Sequence, residues 1–153
     1  MKQQGFTMTE LVVVVAIIGL IAGVAYPSYL SQMEKSRRAE AKIALTSLTQ
    51  VQESFYSDNN RYTTALNVGG LNCVQRGLCL LDGSTIYTPE KYYQLSITPE
   101  TSTSIARSYK LIATVNPTGR QKNDTKCHVF SLNHKNIRTA TNTSGNNTSE
   151  DCW

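Results

Sequence analysis

Between residues 11 and 26 the chain carries no charged side chain at all. Taken from Phe6, the apolar segment is 21 residues long, and as a helix it measures about 31 Å, close to the roughly 30 Å of a bilayer's hydrocarbon core. From Ser28 onward the pattern changes. Ala41, Ala44, Leu45, Leu48, Val51 and Phe55 recur at three- and four-residue spacing, which marks one face of an amphipathic helix. Neither glycine nor proline interrupts "SRRAEAKIALTSLTQVQESFY", so the helix is expected to run to about Tyr56 and to end in the turn formers of "SDNNRY". A helix over 6–56 is on the order of 75 Å long. That exceeds a bilayer, so its second half must project and pack against something.

Residues 57–91 read as a loop-rich connection with "GG" and "DGS". Alternation then takes over. "KYYQLSIT" sets Tyr93, Leu95 and Ile97 on one face, and "RSYKLIATV" does the same for Tyr109, Leu111, Ala113 and Val115. "CHVFSLN" is a third strand, after a turn region in "NPTGRQKND", and "NIRTA" is a candidate fourth. The expected fold is α+β, a long N-terminal helix packed against a small antiparallel sheet of three to four strands. Tyr56, Tyr62, Tyr92 and Tyr93 are expected at the seam between them.

Composition adds limits. The 153 residues carry 15 Lys and Arg against 11 Asp and Glu, a net charge of +4. Such a charge is ordinary for a soluble head and does not by itself specify nucleic acid. The four cysteines, Cys73, Cys79, Cys127 and Cys152, form no CxxC pair, and His128 and His134 lack zinc-finger spacing, so no metal is expected. An even count behind an apolar N-terminal segment points to disulfides in an oxidising compartment. Of the three connectivities, proximity favours Cys73–Cys79, leaving Cys127–Cys152 to tie back a polar tail. No nucleophile elbow, P-loop, dinucleotide fingerprint or HExxH motif is present, and neither an enzyme nor a cofactor is expected. The sequons at Asn142, Asn146 and Asn147 read as turn formers, and the two histidines as surface or edge residues.

Glu10 is the anomaly. A secretory signal needs a basic n-region, but Lys2 and Glu10 leave the first ten residues neutral, and "AYPSYL" makes a poor cleavage site. A plain anchor accommodates Gly19 and Gly23 as a small-xxx-small pair, yet leaves a carboxylate at the membrane unexplained. "GFTMTELVVVVAIIGLIAGVAYPSYL" resembles the N-terminus of type IV pilins and their pseudopilin relatives. The resemblance implies a leader cut by prepilin peptidase between Gly5 and Phe6, N-methylation of Phe6, and Glu10 as the family's glutamate. It implies assembly through Phe6, Glu10, Gly19, Gly23 and Pro27, with Pro27 kinking the helix around residues 23–27. A buried carboxylate needs a cation, which the Phe6 amine of a neighbouring subunit supplies, so a wrong register leaves the charge unpaired. The plainer alternative is a glutamate that caps the helix or reaches the headgroups.

"SRRAEA", the "YY" pair and the terminal "CW" resemble PilE-type minor pilins. The resemblance implies a leader over 1–5, a transmembrane and polymerisation helix over 6–30, and a periplasmic pilin head over 31–153. The protein is then anchored in the bacterial inner membrane before it joins other pilins, major and minor, in a helical filament through an inner-membrane assembly platform. The filament serves twitching motility, adhesion or DNA uptake. A major pilin or a type II secretion pseudopilin is the alternative within the family. A DNA-binding competence pilin is the alternative of another class, with Lys110, Arg120, Lys122, Lys126 and Lys135 as candidate phosphate contacts. Arg37, Arg38 and Glu40 read as a solvated or subunit-facing charge cluster.

Overall fold

Between Gly23 and Asn59 the chain contains no glycine and one proline, and helix α1 runs without a break over Met8–Asn59. The computed structural model describes residues 7–100 and 105–153. Gly5 and Phe6 therefore lie outside the described residues. α1 is helical through Pro27. It stops where Asn60 adopts a left-handed φ of 54° and its N–H donates to the Tyr56 carbonyl, a common way for a helix to end. The chain divides into two units, Met1–Lys35 and Ser36–Trp153.

The second unit is an α+β head. Its strands are β1 (Leu80–Asp82), β2 (Thr85–Tyr87), β3 (Tyr93–Thr98), β4 (Lys110–Val115), β5 (Val129–Asn133) and β6 (Arg138–Thr141). A short helix, α2 (Ser149–Cys152), follows. The strands form one antiparallel meander in chain order. The sheet has six strands rather than three or four. The extra hairpin lies in the stretch expected to be loop, where Asp82 pairs with Thr85 across Gly83 and Ser84. Gly83 takes a φ of 61°, which a tight hairpin turn demands and glycine supplies without strain.

The expected strand faces point into the core. Tyr93, Leu95 and Ile97 of β3 are buried, as are Tyr109 and, within β4, Leu111, Ala113 and Val115. They share one apolar cluster with Ala41, Ala44, Leu45 and Leu48 of α1, and with Phe130 and Leu132 of β5. Gln52 is fully buried too, and its amide is satisfied by the backbone of Thr63 in both directions. Edge-to-face rings run from Tyr93 through Phe130 to Trp153, and Tyr62 packs between Tyr56 and Tyr109. Tyr109 also donates to Glu53 of α1, closing the seam at that end.

Two disulfides finish the head: Cys73–Cys79 within the connection after α1, and Cys127–Cys152 between the start of the β5 region and α2. The polar tail is thus fixed to the sheet, with the Trp153 indole N–H donating to the Thr139 carbonyl at 2.8 Å.

Candidate assembly helix and nucleic-acid interface

In the first unit every described side chain from residue 7 to residue 32 is exposed. Leu11, the valines 12–15, Ile17, Ile18, Leu20 and Ile21 have nothing covering them. This part of α1 is long and apolar enough to cross a membrane. A Cβ at Gly19 or Gly23 would meet nothing within 4 Å, so neither glycine is needed for packing inside the chain.

Glu10 has a local partner. Its Oε2 accepts the Thr7 backbone N–H at 2.9 Å and the Thr7 hydroxyl at 2.7 Å, while the Thr7 Oγ1 faces the Glu10 N–H at 3.3 Å. Thr7 and Glu10 stand three apart at the start of α1, the spacing of a capping box, in which two orphan donors are satisfied reciprocally. The sequence "TMTE" carried that signal.

The second cluster centres on residues 116–127, which join β4 to β5. Arg38 of α1 grips Asp124 with two N–H donors on one edge of its guanidinium, Nε to Oδ2 at 2.6 Å and Nη2 to Oδ1 at 2.8 Å. Asp124 also accepts the Gln121 amide at 2.8 Å and the Cys127 backbone N–H at 3.0 Å. Burial pushes the Asp124 carboxyl up. Its bonds to Arg38, Cys127 and Gln121 outweigh that and hold it below the usual carboxylate range. Arg37 donates to the Arg120 carbonyl at 3.1 Å and lies over the Tyr92 ring, 5.5 Å from its centroid. Glu40 accepts the Glu90 N–H at 2.8 Å, and burial holds its carboxyl above the usual range. Arg37, Arg38 and Glu40 are therefore half-buried and engaged within the chain rather than fully solvated. They tie one turn of α1 to two segments of the sheet's end.

Between those segments lies a polar cleft of about 460 Å³, lined by Tyr87, Lys91, Tyr92, Asn116 and Arg120 among others. Its walls meet closely, because the Asn116 amide donates to the Lys91 carbonyl at 2.8 Å. A Cβ on Gly119 would come within 2.9 Å of that same carbonyl. Lys91 is paired with Asp82 at 2.8 Å.

The five candidate phosphate contacts fall into two groups. Arg120, Lys122 and Lys126 are exposed on the 116–127 loop. Lys110 begins β4 opposite Asn133, and the Lys135 N–H donates to the Asn133 side chain, so those two lie near the other end of the strand. The length of β4 separates the groups, about 17 Å at a strand's rise. Lys126 is within 3.2 Å of Asp151, while Arg120, Lys122, Lys110 and Lys135 have no ion-pair partner among the described residues. Sequence reasoning missed Asp124 altogether. Among the described residues no His, Cys, Asp and Glu cluster suited to a metal is found.

The apolar helix opening the chain and the disulfide-closed α+β head describe a type IV pilin. Residues 1–26 match the prokaryotic N-terminal methylation motif, and residues 27–131 match the family described as type IV minor pilin ComP, DNA uptake sequence receptor. The chain belongs to that family. It is also similar to the type IV major pilin protein PilA of Myxococcus xanthus (strain DK1622), 41% identical over 66 residues, a match spanning 43% of this chain and 30% of that relative. Among solved structures, a type IV pilin from Shewanella oneidensis aligns over 78% of this chain and 97% of its own, with a TM-score of 0.46 at 24% identity. The Neisseria meningitidis non-core minor pilin PilV aligns over 76% and 94%, with a TM-score of 0.49 at 20% identity.

Proposed function

We propose that the chain is a minor subunit of a type IV pilus whose head binds DNA during uptake. The observation that carries this reading is the family match over residues 27–131. It is supported by the mostly unpaired cations at both ends of β4, exposed at Arg120, Lys122, Lys126 and Lys135 and half-buried at Lys110. One duplex lying along that strand reaches both groups, since about 17 Å is half a turn of B-form DNA.

In this reading residues 1–5 are a leader removed by prepilin peptidase between Gly5 and Phe6, after which Phe6 is N-methylated. Residues 6–30 anchor the subunit in the inner membrane, with the head, 31–153, in the periplasm. The anchor then becomes filament core, where the bare surface around Gly19, Gly23 and Pro27 meets other pilins and Glu10 meets a neighbouring amine. The assembly platform supplies the partners for that step, and the finished pilus lies outside the cell. Twitching motility and adhesion are the other roles such a filament performs. A major pilin or a type II secretion pseudopilin is the rival within the family, and abundance in sheared filaments separates the major from the minor subunit.

The test uses the mature chain from sheared pili and the full chain in phosphatidylcholine nanodiscs. Mass spectrometry should find an N-methylated Phe6 as the first residue, in a subunit sparse relative to the main filament protein. Fluorescence anisotropy should find duplex binding that weakens steeply with salt. An uncut chain would remove the leader assignment, and salt-independent or absent binding would remove the DNA role.

A further inference from the structure

The structure assigns Arg37 and Arg38 a positioning role: they hold the 119–127 loop so that Arg120, Lys122 and Lys126 face DNA as one group. This rests on the DNA-binding reading of the head. Arginines on an amphipathic helix beside a basic loop invite assignment as phosphate contacts themselves, but the geometry directs them elsewhere. The Arg38 side chain is 13% exposed, and the Nε–Nη2 edge of its fork engages both carboxylate oxygens of Asp124. Arg37 reaches the main chain of Arg120, directly beneath one of the three cations.

The loop contains no strand, and its anchors are few. At one end Asn116 is tied to Tyr92 and Lys91. At the other, Cys127 is joined to Cys152. Between them Asp124 is buried, with a side chain 1% exposed and four donors on its carboxylate. Removing the Arg38 charge leaves that carboxylate buried without its counterion, an arrangement a protein relieves by moving the group to water. The movement has two effects on a polyanion. It disorders the segment carrying Arg120, Lys122 and Lys126, and it brings a negative charge out among them. Arg38 thus acts on DNA through Asp124, by keeping the loop's one carboxylate inside.

The experiment measures binding of a fluorescent 30-base-pair duplex to the full chain in phosphatidylcholine nanodiscs across a salt series, with amide exchange on the same samples. Arg120→Gln should lower the salt slope by about one, the loss of one phosphate contact. Arg38→Gln should lower it by two or more, raise Kd at least tenfold and speed exchange at Gln121–Cys127 while β3, β4 and β5 stay protected. Arg38→Lys, which restores the charge but not the fork, should recover part of both. A one-unit slope change in Arg38→Gln, with the loop still protected, would make Arg38 a direct contact and overturn the proposal. Unchanged Kd with a deprotected loop would overturn it too. If Arg38→Gln loses protection across the sheet, Arg37→Gln decides: a Kd raised about threefold supports positioning, and an unchanged one overturns it. Failure of the wild-type chain to bind at all would instead sink the DNA reading, and that outcome is visible before any variant is compared.

Discussion

Thr7 and Glu10 cap each other at the head of an otherwise apolar helix, through contacts of 2.9 and 2.7 Å to one carboxylate oxygen. The carboxylate therefore has an acceptor's role within the single chain as well as the charged role proposed between chains. The two separate by substitution. Glu10→Gln keeps an oxygen for Thr7 and drops the charge, whereas Glu10→Ala drops both. Loss of the cap costs about 1 kcal/mol. Amide exchange at the start of α1 should thus be near normal in Glu10→Gln and faster in Glu10→Ala. Both variants should remain in the membrane fraction and be missing from sheared pili. Normal incorporation of Glu10→Gln would show that the charge is dispensable for assembly.

The two disulfides should differ in weight. Cys127 and Cys152 are 25 apart in sequence, Cys73 and Cys79 only 6. Loop-closure entropy gives about 3.5 kcal/mol for the longer and about 2 kcal/mol for the shorter. The Cys127→Ser/Cys152→Ser pair should melt several degrees below the Cys73→Ser/Cys79→Ser pair, read by the thermal transition of the full chain. Equal melting temperatures would contradict the ranking.

Two isoleucine- and leucine-bearing positions on one turn of α1 should respond very differently to truncation. Leu45 is fully buried and Ile43 is 65% exposed. Leu45→Ala should cost about 2–5 kcal/mol, and Ile43→Ala no more than about 0.5 kcal/mol in a single chain. Denaturant midpoints of the two variants check the orientation of the helix against the sheet.

Acid should release the 119–127 loop through Asp124. Its folded-state carboxyl is held below the usual range by Arg38, Cys127 and Gln121 against the effect of burial. A depressed folded value means the carboxylate adds stability above its unfolded pKa of about 3.9. That contribution disappears as pH falls from there through the folded value. Asp124→Asn should cost about 3 kcal/mol at neutral pH, and the gap to wild type should narrow progressively as pH falls below about 4. A gap that did not narrow as pH falls below about 4 would mean the pair does not control loop stability.

Local pattern carried much of this fold. The alternation in "KYYQLSIT" and "RSYKLIATV" put the right residues inward because one face of each strand meets α1 and the other does not. The spacing from Ala41 to Leu48 likewise located the buried stripe of the helix. The β1–β2 hairpin was harder, since all three residues of β1 are exposed and all three of β2 half-buried. With no buried face there was no alternation, and only "DGS" between "LL" and "TIY" marked it. The Arg38–Asp124 pair joins residues 86 apart, and no local rule reaches that far. For the same reason the basic residues looked like one set, although β4 places Lys110 and Lys135 at one end and Arg120, Lys122 and Lys126 beyond the other.

The anchoring of the 116–127 loop makes it a replaceable cassette. Its fixed points face inward: Asn116, Gln121, Asp124 and Cys127 are buried, and Gly119 has no room for a side chain. Pro117, Thr118, Arg120, Lys122 and Asn123 are exposed between those points. The outward positions can be rewritten while the inward ones keep the backbone in place, so a lineage can change what the head recognises without rebuilding the sheet or the filament beneath it.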